Sequence, residues 1–154
     1  MAQKVQFYFQ IISKFKNEKI NLPRRQTFLS AGYDLESAID VQILPRQTVL
    51  VPTGIKAFFD YDKVLCVYAR SSLIKKNLML SNGVGIIDSD YYNNTQNEGH
   101  IFVALYNLSD KNAVLIQKNE RIAQCILQNF YLTKNDLASK RIRDNGFGST
   151  NEKK

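Results

Sequence analysis

Apolar residues at alternate positions open this chain, and short apolar segments separated by turn signals follow. Val5, Phe7, Phe9 and Ile11 lie on one side of the first such segment, the pattern of a strand with one face buried. Residues 41–44, 48–51, 55–59, 64–68, 85–87, 101–106 and 114–117 read as further short strands. Between them stand Pro45-Arg46, Pro52-Thr53-Gly54, Asp60-Tyr61-Asp62 and residues 93–99 and 109–112, all rich in turn-forming chemistry. Many short strands at regular spacing predict an all-β sandwich or barrel.

Two segments interrupt the pattern. Residues 71–77 have helical character but are few. Residues 121–128 are ambiguous, because Ile122, Cys125 and Ile126 also fit one helical face. Their β-branched content and the following Asn129-Phe130-Tyr131 favour a strand. From Leu137 onward the chain turns polar and charged, and a lone Phe147 stands between Gly146 and Gly148. That composition buries little surface, so residues 1–137 are expected to form the folded domain and 138–154 a mobile arm. The phenylalanine is placed to cover something.

Composition narrows the class. At 154 residues, 44% hydrophobic and 11% aromatic, the chain suits one globular domain and not a disordered one. No apolar run reaches the length of a membrane span. The N-terminal apolar stretch is broken by glutamines and reads as a strand, not a signal peptide, so a cytoplasmic location is expected. Cys66 and Cys125 sit in apolar runs with no CxxC pair, as buried reduced thiols do. In that compartment the sequons at Asn93 and Asn107 carry no meaning. The single histidine, His100, cannot build a zinc site or a Ser-His-Asp triad alone. A net charge of +7 invites nucleic acid as a partner. The basic residues are scattered, however, and no aromatics interleave with their densest groups to form a stacking platform. No nucleic-acid partner is expected; a polyanionic small molecule accounts for the charge.

The candidate chemistry begins at Gly83-Val84-Gly85-Ile86-Ile87-Asp88-Ser89-Asp90-Tyr91. Two glycines allow a tight turn, two isoleucines anchor it, and two carboxylates and a phenol follow at once. A carboxylate beside an apolar hairpin is a candidate general base; solvated aspartates at a strand exit are the plain alternative. Four further segments accompany it: Ala31-Gly32-Tyr33-Asp34-Leu35, Ala69-Arg70-Ser71-Ser72-Leu73, Asn119-Glu120-Arg121-Ile122-Ala123-Gln124 and Gly146-Phe147-Gly148-Ser149-Thr150. Arg70 with Ser71 and Ser72 offers a guanidinium fork and hydroxyl donors suited to phosphate oxygens. A helix opened by Ser71 would add its amides to that anion site; a Ser-capped helix with a surface arginine is the alternative.

In order and spacing these five segments resemble the signature motifs of the homotrimeric dUTP pyrophosphatases, the dUTPases. The resemblance runs from about residue 23 to residue 150, with Leu50-Val51-Pro52-Thr53-Gly54-Ile55 as supporting text. It implies a jelly-roll-like β-barrel with one small helix, and a Mg²⁺-dependent hydrolysis of dUTP to dUMP and pyrophosphate. Asp88 matches the catalytic aspartate that orients and deprotonates a water for attack on the α-phosphorus. Arg70, Ser71 and Ser72 match the phosphate grip, and Gln124 a glutamine that contacts phosphate across the site. Asn82, Gly85, Ile86 and Ile87 match the uracil-reading hairpin, and Phe102 a position lining the same pocket. Tyr91 matches the tyrosine that packs under the sugar and leaves no room for a 2′-hydroxyl. Arg143, Phe147, Gly148, Ser149 and Thr150 resemble the closing arm, with Phe147 stacked on uracil. Asp34 is expected near the metal-bound phosphates, with the Mg²⁺ held by triphosphate and water and not by direct protein ligands. Arg121 is expected to be structural, paired with Glu120 or Asp90. The family implies a homotrimer in which three chains build each site.

The chain departs from the family pattern in places. Asn145 replaces the first glycine of a Gly-Gly-Phe-Gly arm, Asn151 stands where glycine is common, and Arg141 competes with Arg143 for the arm's arginine. Residues 93–99 are longer than the usual turn, an exposed candidate surface for a regulatory protein of the kind phage members contact. The rival within the fold is a dCTP deaminase. Those enzymes carry Asp-Pro-Gly-Phe where this chain has Asp88-Ser89-Asp90-Tyr91, and Glu98 is the nearest carboxylate for activating water at a base.

Overall fold

In the computed structural model, which describes residues 6–137, eleven strands carry nearly all the regular structure. They are β1 Phe7–Ile11, β2 Tyr33–Glu36, β3 Val41–Ile43, β4 Thr48–Pro52, β5 Ile55–Phe59, β6 Lys63–Tyr68, β7 Leu78–Leu80, β8 Gly85–Ile87, β9 Phe102–Asn107, β10 Val114–Ile116 and β11 Arg121–Asn129. Every pairing is antiparallel, and the ladders form four sheets: β1 with β5, β10 with β3, β4-β9-β7 and β2-β11-β6-β8. The all-β expectation holds. The ladders remain separate sheets in a jelly-roll-like arrangement and do not close into one barrel.

Alternation does what the pattern predicted. In β5, Ile55, Ala57 and Phe59 point into the core, while Lys56 and Phe58 are half-buried on the other face. Leu35, Ile43, Val51, Leu65, Leu105, Ile116 and Ile122 are essentially fully enclosed, and each such side chain contributes roughly 1.5–3 kcal/mol of transfer free energy. Phe7 meets Phe9 and Tyr33 edge-on, at centroid distances of 4.9 and 5.5 Å, and this cluster fastens β1 beside β2.

The ambiguous segment is β11, a nine-residue strand. It pairs with β2 on one side and β6 on the other, so ladder hydrogen bonds overrule the helical periodicity. β2 and β7 are strands that alternation did not reveal. Tyr33-Asp34-Leu35-Glu36 lacks a clean period, and Leu78-Met79-Leu80 consists of good helix formers. Ser71–Lys76 is a 3₁₀ helix, capped at its C-terminus by Asn77 at φ 54°. Ser71 is its first residue and the N-cap is Arg70, whose side chain makes no capping bond, so Ser71 opens the helix without capping it. Residues 81–84 join β7 to β8, yet those strands belong to different sheets, so the expected hairpin is a tight corner between two sheets.

Candidate active site

The four-stranded sheet assembles four of the five motifs. β2 runs beside β11 with Asp34 opposite Gln124, and β11 runs beside β6 with Gln124 opposite Tyr68. Arg70 follows β6 directly. Its side chain crosses β11 to reach β2, where Nε donates to Asp34 Oδ1 at 2.9 Å. Arg121 Nη1 donates to the other oxygen, Asp34 Oδ2, at 3.3 Å. One buried carboxylate thus holds two guanidinium groups. Arg121 pairs with Asp34, not with Glu120 or Asp90; Glu120 instead takes Lys76 at 2.5 Å. The pairing with Asp34 was not legible because 87 residues separate the partners.

Arg70 is held further by Nη1, which donates to Arg121 O at 3.1 Å and to Ser72 Oγ at 3.3 Å. Ser71 and Ser72 stand exposed beside it. Arg70, Ser72, Leu73, Lys76, Asn119, Glu120 and Arg121 line a cavity of about 260 Å³. Its three cations outnumber the two carboxylates they pair with, Asp34 and Glu120, which makes it attractive to a polyanion; Lys76 is the member sequence reading missed. Gln124 Nε2 donates to Ala69 O at 3.1 Å. Gly32 packs so closely on it that a Cβ there would sit 3.1 Å from Gln124 Cβ and closer still to Oε1. Only hydrogen fits at Gly32 while Gln124 keeps this rotamer.

The hairpin motif occupies the edge of the same sheet. β8 pairs with β6 on one side, Gly85 opposite Val67, and has no strand on its other side among the described residues. Its outward main-chain groups therefore point away from the ladder, with fixed direction. Gly83, at φ 70°, makes the corner, where Gly83 N donates to Leu80 O at 3.1 Å and Val84 N to Asn82 O at 2.8 Å. Gly85 is packed to the limit: a Cβ would stand 3.1 Å from Val67 Cβ. The Ile86 side chain is exposed and Ile87 half-buried. Asp88 emerges, exposed, from the end of β8.

Beyond Asp88 the chain folds inward. Tyr91 is buried, its hydroxyl donating to His100 O at 2.8 Å and accepting from Asn97 Nδ2 at 2.8 Å. Asn94 caps the same turn, and Gly99, at φ 82°, is buried where a Cβ would lie 2.6 Å from Tyr91 O. The segment expected as an exposed extension is thus largely an inward-packed knot; Asn93, Thr95 and Gln96 are its exposed residues. Glu98 reaches away to Ser13, accepting from its N at 3.2 Å and its Oγ at 3.1 Å, and from Lys56 Nζ at 3.3 Å. Burial pushes its pKa up, but these donors outweigh that and hold it below the ordinary range. A carboxylate so engaged is a structural anchor, not a base for deamination. Phe102 lies against His100 with centroids 4.1 Å apart.

Comparison with known proteins assigns this arrangement to a family. Residues 18–151 match the family model described as dUTPase. The chain is 46% identical, over 92% of its length and 95% of the relative, to the deoxyuridine 5'-triphosphate nucleotidohydrolase of Lactococcus lactis subsp. lactis (strain IL1403). The chain belongs to the dUTPase family. The crystal structure of the dUTPase from Streptococcus mutans superposes with a TM-score of 0.78 at 43% identity, covering 83% of this chain and 99% of that one. A mutant dUTPase of phage phi11 of S. aureus, described as coordinating a structural Mg(II) ion, shares the fold. Its TM-score is 0.70 at 16% identity, over 88% of this chain and 97% of that one.

Within the dUTPase framework, Arg70, Ser71, Ser72 and Gln124 fall together with Asp34, and Asn82, Gly85, Ile86, Ile87 and Asp88 along the β8 edge. Tyr91 and Phe102 form a third group around His100. Arg143, Phe147, Gly148, Ser149 and Thr150 lie outside the described residues. Among the described residues no three His, Cys, Asp or Glu side chains converge to hold a metal, and no helix is long and apolar enough to cross a membrane.

Proposed function

We propose that this member of the dUTPase family hydrolyses dUTP to dUMP and pyrophosphate, removing dUTP before it reaches DNA and supplying dUMP for thymidylate synthesis. One observation carries the reading: Arg70, locked to the buried Asp34 beside exposed Ser71 and Ser72, lines a basic cavity, and Asp88 stands exposed at the end of a sheet-edge strand. The main-chain edge of β8 reads uracil, because fixed N–H and C=O directions mimic a pairing base and mismatched donors reject cytosine. Asn82 assists that readout and Phe102 lines the pocket. Tyr91 bounds the sugar and excludes a 2′-hydroxyl.

Arg70, Ser71, Ser72 and Gln124 bind the phosphates, with Asp34 acting as the positioning group. Asp88 orients a water and takes its proton as the oxygen bonds to the α-phosphorus. The bond from that phosphorus to the bridging oxygen breaks, and pyrophosphate leaves. Bound Mg²⁺ supplies charge neutralisation on the triphosphate. The triphosphate and water would hold the ion, with Asp34 nearby. Arg143, Phe147, Gly148, Ser149 and Thr150 form the arm, residues 138–154, that closes over the bound nucleotide.

A trimer with shared sites fits two features. The Arg70 guanidinium is anchored at β2, three strand spacings or about 14 Å from β8, which suits a phosphate grip and a hairpin serving different sites. The outward face of β4-β9-β7 carries Thr48, Leu50, Phe102, Ala104, Tyr106 and Met79 and no charge, as an assembly face requires. A cytoplasmic location accords with this chemistry. The test measures pyrophosphate release from dUTP, dTTP, dCTP and UTP with Mg²⁺, beside ammonia release from dCTP. Turnover of dUTP alone is expected. Ammonia from dCTP would select the deaminase instead.

A further inference from the structure

His100 is buried at 5% exposure, and each of its polar main-chain groups and its Nε2 is engaged. Gly54 N donates to His100 Nε2 at 2.9 Å, so this nitrogen carries no proton and the ring is neutral. Burial, aided by Lys14, drives its pKa down to about 4, against the pull of Glu98, in keeping with that state. The backbone N–H donates to Asn97 O at 3.0 Å, and the carbonyl accepts the Tyr91 hydroxyl at 2.8 Å. The ring lies against Phe102, centroids 4.1 Å apart, with Phe15 behind it at 5.7 Å. The main-chain carbonyl of His100 thus holds Tyr91, while its ring packs on Phe102 and is tied to the turn between β4 and β5. A leucine would fill the volume but would leave the buried Gly54 N–H without an acceptor.

We propose that His100 is a positioning residue for nucleotide selection: its ring, fixed at Gly54 N, sets Phe102 directly and, through the main chain of the same residue, Tyr91, where the two bound the uracil and deoxyribose. The inference rests on the assignment of Tyr91 and Phe102 to the nucleoside pocket.

Two variants of the full chain separate the parts of this arrangement. His100→Phe keeps a ring against Phe102 and removes the acceptor; His100→Gln restores an acceptor for Gly54 N–H. Steady-state kinetics with dUTP and UTP should show KM for dUTP raised about tenfold in His100→Phe with kcat little changed. The preference for dUTP over UTP should narrow, and His100→Gln should recover most of both. Lower thermal stability in both variants, with KM and preference unchanged, would overturn the proposal. If His100→Phe does not fold, the wild-type protein decides. Its single histidine gives one pair of imidazole ¹⁵N resonances, which must report a proton on Nδ1 and must move when dUMP is added. Unmoved resonances overturn the proposal. Tyr91→Ala separates the two layers. If it leaves the dUTP/UTP ratio unchanged, the pocket assignment fails and the proposal with it. If it narrows the ratio while His100→Phe does not, His100 alone is wrongly assigned.

Discussion

Arg70 and Asp34 meet at 2.9 Å, guanidinium Nε to carboxylate Oδ1, across the strand that lies between theirs. The carboxylate is buried and the arginine only partly so, and with Nε on Asp34 and Nη1 on Arg121 O and Ser72 Oγ, Nη2 is left to face an anion. Substitution of Asp34 by Asn keeps the shape and removes the charge that orients both arginines. KM for dUTP should rise about 10- to 100-fold, with a smaller effect on kcat, because ground-state phosphate binding is what is lost. Steady-state kinetics check this, with urea unfolding to record the expected loss of stability from two cations left without their carboxylate.

The contact of Gly32 with Gln124 makes a second prediction. A methyl group at position 32 has to displace the Gln124 amide from Ala69 O. Gly32→Ala should therefore weaken dUTP binding, and Gln124→Ala should do so by a similar factor. The double variant should be little worse than either, as expected of coupled neighbours. Additive losses in the double variant would sink the coupling.

Asp88→Asn tests the base. Losing a general base costs about 10²–10⁴-fold in rate. A fall of that size in kcat, with dUTP affinity nearly retained by equilibrium binding, is expected. Near-normal turnover in a folded variant would refute the assignment.

Assembly and the arm are tested together by a chain ending at residue 145. It should remain a trimer by light scattering, since the missing residues add little core, and should lose most activity with the lid. Mixed with full-length Asp88→Asn, it should regain some activity after subunit exchange, because a mixed trimer pairs an intact hairpin with an intact arm. No recovery despite demonstrated exchange would place hairpin and arm within one chain.

His100 also sets a pH dependence. Its folded pKa of about 4 lies below the ordinary 6.5, so between those values the unfolded chain binds the extra proton. Its contribution to stability is full above pH 6.5 and declines as pH falls from 6.5 to 4. Glu98 acts lower: its folded pKa is depressed, so its contribution is lost as pH drops through and below the ordinary carboxylate range. Thermal unfolding from pH 7 to 4.5 should show a fall in Tm for the wild-type protein that is much flatter in His100→Gln.

How much was legible in the sequence differs by element. The strands β1 and β5 follow from alternation, because a half-buried strand imposes its period on the residues that form it, and β6 and β9 from short continuous apolar runs between turns. The turns at Pro52-Thr53-Gly54 and at Gly83 follow from backbone freedom that few other residues have. The five motifs, taken together, identified the family before any geometry was known. β2 and β7 did not declare themselves, since Asp34 and the leucines around Met79 become strand residues only when β11 and β9 supply their partners.

What the tertiary structure alone decided is who meets whom. Asp34 and Arg121 are 87 residues apart, and no local pattern encodes their pairing. Lys76 joins the cavity beside Arg70 because the 3₁₀ helix that carries it packs beside the turn before β11. Residues 93–99 looked like an exposed loop by composition, yet Asn94 and Gly99 are buried because Tyr91 and His100 draw the segment inward. His100, dismissed in the sequence as a lone histidine, proved to be a junction. Sequence records local periodicity and backbone freedom. The pairing of distant polar groups follows from burial, which forces each of them to find a partner wherever the fold brings one within reach.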